Sequence, residues 1–469
     1  MSPREHRRDA AIVIVVALVV RIVVALWAGD AFPPIADGGF YHTLATRLAD
    51  GAGYTWLWPD GAVTYAAHYP VGYPAMIAVA YRVFGAGVTR AIAVNALIGT
   101  LASGAAWGLA RRATSSRWAL GAGLAAAVEP AIALYLPAVM TEAVTAHVVV
   151  IAAWLVAGAR ERTGAAAWRW LALAGLAVGV ATLIRPQSLL LAPLLGLVAF
   201  APSAGLRQRL AGGVVMTVLA LATCAPWTAR NCVRMKQCSL VSVNGGWNLL
   251  IGIGPNANGH WAPVDVPEAC KTVWDEAGKD ACFAREARAA IAREPGRFLS
   301  LVPKKLAATF DYGGAAPWYL HDSGKEAAFS LRAKEIAGAL ETVFHRVALA
   351  LALLGVGVVT GPRARARAVL AVAASVVSVG GLLLVTQKLG WVATMALPVL
   401  VGMLGRGALG LPVLPLAAAA ATLATAAVHA VFFGAGRYGL VVYPLVTLTA
   451  GWGASELLAA IRSRRRLGF

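Results

Sequence analysis

The feature that most constrains this chain is a series of apolar stretches, each about 20 residues long, that recurs along the whole sequence. A helix of that length spans the hydrocarbon core of a bilayer. Hydrophobic residues make up 59% of the chain and charged residues only 13%, which excludes a soluble globular protein. We therefore predict an all-α polytopic membrane protein with about twelve transmembrane helices. The predicted spans lie near 10–28, 90–110, 118–136, 141–158, 169–185, 188–201, 211–229, 341–360, 368–386, 391–405, 411–431 and 439–461.

The net charge of +19 is confined to short basic clusters between apolar stretches. This arrangement is the positive-inside signature of a membrane protein and does not indicate nucleic-acid binding. It places the N-terminus in the cytoplasm, and the first span is predicted to be a retained signal anchor because it is long and lacks a small-residue cleavage site. The clusters that fall on the cytoplasmic side are Arg111/Arg112/Arg117, Arg160/Arg162, Arg207/Arg209, Arg363/Arg365/Arg367, Arg406 and Arg462/Arg464/Arg465/Arg466.

Two long loops fall on the non-cytoplasmic side of this topology. We predict an N-terminal transmembrane module over residues 1–229, which includes a first outer loop at 29–89, then an outer loop region over 230–340 and C-terminal helices over 341–469. The first loop is rich in Trp and Tyr, which favour the membrane interface.

Four of the five cysteines fall in the second outer loop, whereas Cys224 lies in an apolar helix. An even set on the non-cytoplasmic side indicates disulfide bonds. Three connectivities remain open, and the pairing that closes the shortest loops is Cys232–Cys238 with Cys270–Cys282. A zinc site is a weaker alternative, since no C-x₂-C spacing occurs.

Asp37 lies on a Gly-rich turn directly after the first span, in the segment Pro33-Pro34-Ile35-Ala36-Asp37-Gly38-Gly39. It is our candidate catalytic base. The alternative is structural, because an Asp before a helical pattern is a good N-cap.

Further charged residues lie at the outer ends of predicted spans, where a charge needs a partner or water. Each arginine alone could be an interfacial anchor whose side chain reaches the headgroups. Together, several arginines beside few carboxylates would form a basic pocket for phosphate, which guanidinium binds bidentately. The residues on this face are Arg90, Glu142, Arg185, Arg230, Arg437 and Tyr438.

Several common signatures are missing from the sequence. It contains no Walker A motif, no H-E-x-x-H and no D-x-D, so we expect no nucleoside triphosphate, metalloprotease or metal-bound nucleotide-sugar chemistry. A substrate of this protein is therefore not expected to arrive as a nucleotide.

The order of these features resembles the C-type glycosyltransferase superfamily, in the protein O-mannosyltransferase-like (family 39) and aminoarabinose-transferase-like branches. The resemblance covers most of the chain, and its specificity lies in the order of individually weak motifs. The matching elements are Asp37…Tyr41, Pro70-Val71-Gly72-Tyr73-Pro74, Arg90 with Asn95, Glu142, Arg185-Pro186, Pro226 to Asn231, Asn244-Gly245-Gly246, Gly252…Pro255 and Arg437-Tyr438…Pro444.

The resemblance implies an inverting transfer of a sugar from a polyprenyl-phosphate carrier to a hydroxyl acceptor on the non-cytoplasmic face, without metal or cofactor. Asp37 would be the base. Arg90, Arg185 and Arg437 would bind the donor phosphate, with Arg230 and His68 in reserve. Tyr41, Glu142 and Tyr438 are further substrate-site candidates. The chain departs from many relatives at Gly38, where they carry a second acid, and at His68, where some carry a lysine, so His68 could instead only order its loop.

Two other functions remain open at this stage. A transporter or flippase for an anionic lipid or solute would also have many spans and a basic outer cavity, although no repeated halves are visible. An assembly factor that binds a glycan or protein without chemistry is the third. The acceptor, whether glycan, lipid or protein, is not disclosed. The Ala/Arg-rich composition and the absence of N-x-S/T fit a bacterial inner membrane with the site facing the periplasm.

Overall fold

A computed structural model describes residues 3–311, 313–360 and 390–466. These residues are largely helical, because long apolar segments in a bilayer must satisfy their backbone hydrogen bonds internally. One small hairpin, β1 (Thr55–Leu57) and β2 (Val63–Tyr65), pairs antiparallel in the first outer loop, with Trp56 opposite Thr64.

The helices fall into two sets along the chain. The first set is α1 (Pro3–Ala28), α2 (Asp37–Ala49), α3 (Gly72–Phe84), α4 (Val88–Arg111), α5 (Ser116–Ala127), α6 (Pro130–Leu134), α7 (Thr141–Arg160), α8 (Gly164–Ile184), α9 (Leu191–Leu197) and α10 (Leu206–Arg234). The second set is α11 (Gly245–Ile253), α12 (Glu276–Arg293), α13 (Pro295–Phe310), α14 (Ala315–Ala328), α15 (Leu331–Thr360), α16 (Gly390–Met403), α17 (Val413–Val431) and α18 (Tyr443–Arg466). Short 3-10 segments lie at Pro186–Leu190, Glu268–Cys270, Gly405–Gly410 and Gly436–Val441.

Within the described ranges, eight helices are long and apolar enough to cross a membrane: α1, α4, α7, α8, α10, α15, α17 and α18. The predicted helical membrane architecture is thus confirmed, whereas a count of twelve spans is not. Pro130 divides the stretch predicted at 118–136 into α5 and α6. The stretches predicted at 188–201 and 391–405 form shorter apolar helices. The predicted span 368–386 and the cluster Arg363/Arg365/Arg367 lie outside the described residues.

The enclosed centre of the bundle is α7, which carries Glu142 at its outer end. Of the most apolar part of α7, 83% is buried, compared with 17% for α1 at the periphery. Small residues permit close packing elsewhere: a Cβ on Gly355 of α15 would lie 2.1 Å from the Cα of Gly453 on α18. The packing around α7 therefore restricts the residues at its N-terminal end.

The two outer loops are joined to each other near residue 68. The Glu276 carboxylate on α12 accepts hydrogen bonds from Trp56 Nε1 (2.5 Å) and from the backbone N–H groups of Ala67 (2.6 Å) and His68 (2.9 Å). Arg230 donates to the carbonyl oxygens of Ala66 (2.8 Å) and Tyr54 (2.9 Å). These bonds fix the first loop against the second.

The second loop contains two disulfide bonds. They join Cys232 to Cys238 and Cys270 to Cys282, the pairing that closes the shortest loops. Cys224 is a free, buried cysteine. Because Glu276 lies between Cys270 and Cys282, the second disulfide encloses the residue that binds the first loop.

Candidate active site

The Asp37 carboxylate does not act as the N-cap of α2. The helix begins at Asp37 itself, its N-cap position is Ala36, and no side chain caps it. Asp37 Oδ2 instead lies 2.7 Å from Arg437 Nη2, and the Tyr69 hydroxyl is 3.5 Å from Oδ1. The side chain is 32% exposed, so the carboxylate is paired but still accessible.

Glu142, at the start of α7, is the second carboxylate of the site. Its side chain is 1% exposed, and Oε1 lies 2.8 Å from Arg185 Nη1 and 3.5 Å from Arg437 Nε. The Tyr135 hydroxyl donates to Oε2 at 3.3 Å. Arg437 therefore lies between Asp37 and Glu142, and Glu142 lies between the two arginines. A buried charge in such a network is compensated on each side.

Arg185 is directed into the site by the end of α8. Proline at 186 disfavours a helical conformation for the preceding residue, and Arg185 is extended, with φ −142° and ψ 109°. Its Nη1 also donates to Thr141 Oγ1 at 2.9 Å. With the Gln187 amide oxygen turned toward Arg185, it accepts from Nε at 2.9 Å and from Nη2 at 3.0 Å. Every nitrogen of Arg185 is then hydrogen-bonded.

Arg437 lies on the 3-10 segment Gly436–Val441 between α17 and α18. The Tyr438 ring is close to both guanidinium groups, 4.9 Å from the Cζ of Arg185 and 5.2 Å from that of Arg437. On α17, the His429 ring stacks on Tyr438 at a centroid distance of 4.3 Å. The aromatic ring thus separates and orients the two arginines.

The charges around Asp37 determine its protonation. Burial would raise the pKa of the Asp37 carboxyl, but the charge and hydrogen bond of Arg437, with a smaller contribution from Arg185, outweigh burial and keep the pKa below its usual value. Burial lowers the pKa of His68 more than Glu276, Asp280 and Asp37 raise it. At neutral pH, Asp37 is therefore ionised and His68 is neutral.

A small cleft lies beside Arg185. Arg185, Gln187, Ser188 and His429 line its polar part. The remainder is lined by Tyr438, by two threonines and by aliphatic side chains that include Leu191, Ala421 and Val441. The cleft combines donors for an anion with an apolar wall.

The structure brings Asp37, Glu142, Arg185, Arg437 and Tyr438 together, but not every candidate from the sequence. Arg90 is exposed and donates to Thr89 Oγ1 at 2.9 Å. Arg230 donates its hydrogen bonds to backbone carbonyl groups and stacks on Trp227, with its Cζ 4.7 Å from the ring centre. These contacts give Arg230 a role in holding the first loop.

Tyr41 and His68 line the first-loop side of the site. The Tyr41 ring meets the Tyr69 ring edge-on at 5.3 Å. Burial, with the Asp37 and Glu142 charges, raises the pKa of Tyr41, so its hydroxyl stays protonated. The His68 ring lies against Tyr69 and Trp247.

Uncharged residues of the site were missed by sequence reasoning. They are Tyr69, Tyr135, Thr141, Gln187 and His429. Tyr69 directly precedes the segment Pro70 to Pro74, and Gln187 follows Arg185-Pro186, so proximity to those motifs was an available signal. Nothing in the sequence distinguishes Tyr135 or His429 from other residues of apolar helices.

The absence of a second acid at Gly38 has a structural counterpart. A Cβ at position 38 would lie 3.0 Å from the carbonyl oxygen of Val139 and 3.1 Å from the Tyr319 hydroxyl. The second carboxylate near Asp37 is therefore Glu142. Among the described residues, no three His, Cys, Asp or Glu side chains converge as metal ligands.

Residues 68–229 match the sequence model of the family described as dolichyl-phosphate-mannose-protein mannosyltransferase. No curated protein matches the chain. An apo oligosaccharyltransferase from Archaeoglobus fulgidus is similar in structure at a TM-score of 0.50 and 14% identity, covering 99% of this chain and 52% of that one. Oligosaccharyltransferase AglB from the same organism, bound to an inhibitory peptide and a dolichol-phosphate, is similar at a TM-score of 0.44 and 14% identity. The match covers 96% of this chain and 51% of that one. ArnT from Cupriavidus metallidurans bound to undecaprenyl phosphate is similar at a TM-score of 0.40 and 18% identity. The match covers 94% of this chain and 77% of that one.

The chain therefore spans about half the length of the archaeal enzymes. The similarity to the apo oligosaccharyltransferase shows the fold, and the family match covers the segment from His68 to Ala229. These findings do not favour the transporter alternative. The comparisons agree with the prediction from the order of motifs: the fold is that of the apo oligosaccharyltransferase, and one segment of the chain matches the mannosyltransferase family model.

Proposed function

We propose that this enzyme transfers a sugar from a polyprenyl-phosphate carrier to a hydroxyl acceptor on the non-cytoplasmic face, with inversion at the anomeric carbon. The observation that carries the proposal is the convergence of Asp37, Arg185 and Arg437 at one accessible site, although they are far apart in the sequence. An ionised carboxylate beside paired guanidinium groups matches a reaction that removes a proton and releases a phosphate.

Asp37 acts as the general base. As the acceptor oxygen bonds to the anomeric carbon, its proton passes to the Asp37 carboxylate. The bond from that carbon to the phosphate oxygen breaks, and its electron pair leaves with the polyprenyl phosphate. The lowered pKa keeps Asp37 ionised before the reaction, and its 32% exposure leaves room for an acceptor hydroxyl.

Arg437 binds the leaving phosphate directly, whereas Arg185 acts through its charge. Arg437 uses Nε for Glu142 and Nη2 for Asp37, and its Nη1 has no hydrogen-bond partner among the described residues. All three nitrogens of Arg185 are already occupied. Because the side chains supply positive charge to the phosphate, the proposed mechanism requires no metal ion.

The carrier lies in the cleft beside Arg185. The phosphate would lie at the Tyr438 side of the cleft, next to Arg437, and the aliphatic wall would contact the first isoprene units. Undecaprenyl phosphate in ArnT and dolichol-phosphate in AglB, both C-type neighbours, make such a carrier the natural first ligand to test.

The acceptor enters from the side of the first loop. Phe40, which is 47% exposed, stacks on Tyr69 at 4.9 Å near Asp37. An aromatic face suits a glycan ring, and the proposal extends to lipid or protein hydroxyls. The disulfides and the distribution of arginines support a site on the outer, periplasmic face of a bacterial inner membrane.

Asp37→Asn tests this function most directly. Purified protein is incubated in detergent with polyprenyl-phosphate mannose and an added hydroxyl acceptor, with water as the fallback acceptor, and released polyprenyl phosphate is measured. We expect Asp37→Asn to reduce turnover by about 10²- to 10⁴-fold, because amide nitrogen and oxygen cannot accept the proton. Affinity for undecaprenyl phosphate should stay within a few-fold of wild type.

Asp50→Asn is the matched control, since Asp50 is an exposed residue at the other end of α2. It should retain wild-type turnover. A well-folded Asp37→Asn protein that keeps most of its turnover would show that Asp37 is not the base. Absence of carrier release from the wild type with any polyprenyl-phosphate sugar would refute the donor assignment.

A further inference from the structure

We infer that Tyr319 on α14 is a positioning residue that holds the Asp37 carboxylate against Arg437. The inference rests on the proposed function, since it assigns a role through the proposed base. Tyr319 is 2% exposed, and neither its helix nor its position was indicated by the sequence motifs.

The turn that carries Asp37 cannot maintain its conformation by itself. Ala36, immediately before the base, has φ 47° and ψ −130° although it is not glycine. An alanine in this region is strained, and such a conformation persists only where surrounding structure enforces it. Contacts from outside the turn must therefore hold Asp37 in place.

Those contacts come from one face of α14. The Tyr319 hydroxyl accepts a hydrogen bond from the backbone N–H of Ile35 at 3.4 Å. One helical turn later, Ser323 Oγ donates to the carbonyl oxygen of Pro33. The Phe32 ring lies against Gly324, where a Cβ would be 2.7 Å from the ring. The helix thus binds the segment just before Asp37 at successive points.

The Tyr319 hydroxyl also limits the space directly after Asp37. A Cβ on Gly38 would lie 3.1 Å from this hydroxyl and 3.0 Å from the carbonyl oxygen of Val139. The Tyr319 hydroxyl therefore hydrogen-bonds the chain before the base and leaves little room for a side chain directly after it. Both effects restrict the first turn of α2.

The same tyrosine connects this turn to the arginine network. Its ring meets the Tyr135 ring edge-on at 5.9 Å, and Tyr135 donates to Glu142. Loss of the hydroxyl would let the Asp37 turn relax away from Arg437. The carboxylate would then lose much of the charge that keeps it ionised. The groups that act on Asp37 are Arg437, Arg185, His68 and Tyr69.

Tyr319→Phe is the test variant, and Tyr81→Phe is its matched control. Tyr81 is also 2% exposed, and its hydroxyl makes one hydrogen bond, at 2.7 Å to His42 Nδ1. With polyprenyl-phosphate mannose as donor, we expect Tyr319→Phe to lower kcat about tenfold, the upper range for loss of one hydrogen bond. KM for the donor should stay within twofold. The acidic limb of the kcat/KM profile should move to higher pH, whereas Tyr81→Phe should change neither.

A double-mutant cycle with Gly38→Ala measures the second contact. In the wild-type background the new methyl group meets both the Tyr319 hydroxyl and Val139, so kcat should fall. In the Tyr319→Phe background one of these contacts is gone, so the combined loss should be smaller than the product of the single losses.

Four results would overturn the inference. They are a kcat within twofold of wild type for Tyr319→Phe, an equal loss in Tyr81→Phe, independent effects in the cycle, and a raised donor KM with unchanged kcat. Failure here is distinguishable from failure of the proposed function. If Asp37→Asn is inactive and Tyr319→Phe is normal, only the positioning role is lost, whereas an active Asp37→Asn removes the proposed base itself.

Discussion

Glu142 and Glu129 make an instructive pair, because both are glutamates of which only 1% is exposed. Glu142 receives Arg185, Arg437 and Tyr135 on its two oxygens. In the part of the chain that the structure describes, Glu129 has no cationic partner, and neither of its oxygens makes a well-formed hydrogen bond, although the Thr447 hydroxyl is nearby. Burial is therefore equal at the two sites, and only the partners differ.

The comparison distinguishes a buried carboxylate that has cationic partners, Glu142, from a buried carboxyl group that has none, Glu129. A buried carboxylate without a cation or donors is strongly disfavoured, so the neutral acid is the stable form of Glu129. Two guanidinium groups compensate the Glu142 carboxylate, and it orients them in return. The network around Asp37 thus depends on its ion pairs, and substitutions can remove the members of these pairs one at a time.

Removal of Arg437 should have the largest effect, because Arg437 pairs with both Asp37 and Glu142. We expect Arg437→Ala to lower kcat/KM by about 10³-fold, the scale seen when a preorganised donor to a developing oxyanion is removed. Arg437→Lys should lose about tenfold less, because an ammonium keeps the charge but cannot reach Asp37, Glu142 and phosphate together. Carrier release and affinity for undecaprenyl phosphate provide the measurement. Equal losses in the two variants with unchanged affinity would argue against phosphate binding by Arg437.

Glu142→Gln should have the next largest effect, and Glu129→Gln is its matched control. Loss of the Glu142 charge leaves two arginines without their shared partner, and breaking a buried pair costs about 3–5 kcal/mol. We expect at least a hundredfold lower kcat/KM and a lower unfolding temperature. At Glu129 an amide replaces a neutral acid, so both values should stay close to wild type. Similar losses in the two variants would contradict the distinction drawn between the sites.

Arg90→Ala should have the smallest effect. The Arg90 side chain is exposed and bonds to the neighbouring Thr89 rather than to the network. Turnover and undecaprenyl-phosphate affinity should remain within twofold of wild type. A loss comparable to that of Arg437→Lys would restore the donor-binding role that the sequence suggested.

The sequence was sufficient for features that depend on composition and on the position of charged residues relative to apolar stretches. Apolar length predicted the helical membrane fold, and the distribution of arginines placed Asp37, Glu142, Arg185 and Arg437 on one face. The number of spans was less accessible. Pro130 divides one apolar stretch, and the helix at Gly390–Met403 is only 14 residues long, about 21 Å at 1.5 Å per residue.

The direction of individual side chains was not available from the sequence. Arg90, Arg230 and Arg437 look alike as basic residues near the ends of spans, yet one is exposed, one binds backbone carbonyl groups and one binds Asp37. Tyr319 is equally inconspicuous, since its role depends on the strained turn at Ala36. Such roles depend on tertiary contacts that no local pattern records.

Asp37 and Arg437 are separated by 400 positions, and this distance governs when the enzyme becomes competent. At about 5–20 residues per second, a ribosome needs some 20–80 seconds to travel from one codon to the other. During that interval Asp37 lacks the arginine that pairs with it, and a chain that ends prematurely never acquires Arg437. The site is therefore complete only after α17 and the following segment Gly436–Val441 have been synthesised and inserted, although Asp37 is made near the start of the chain.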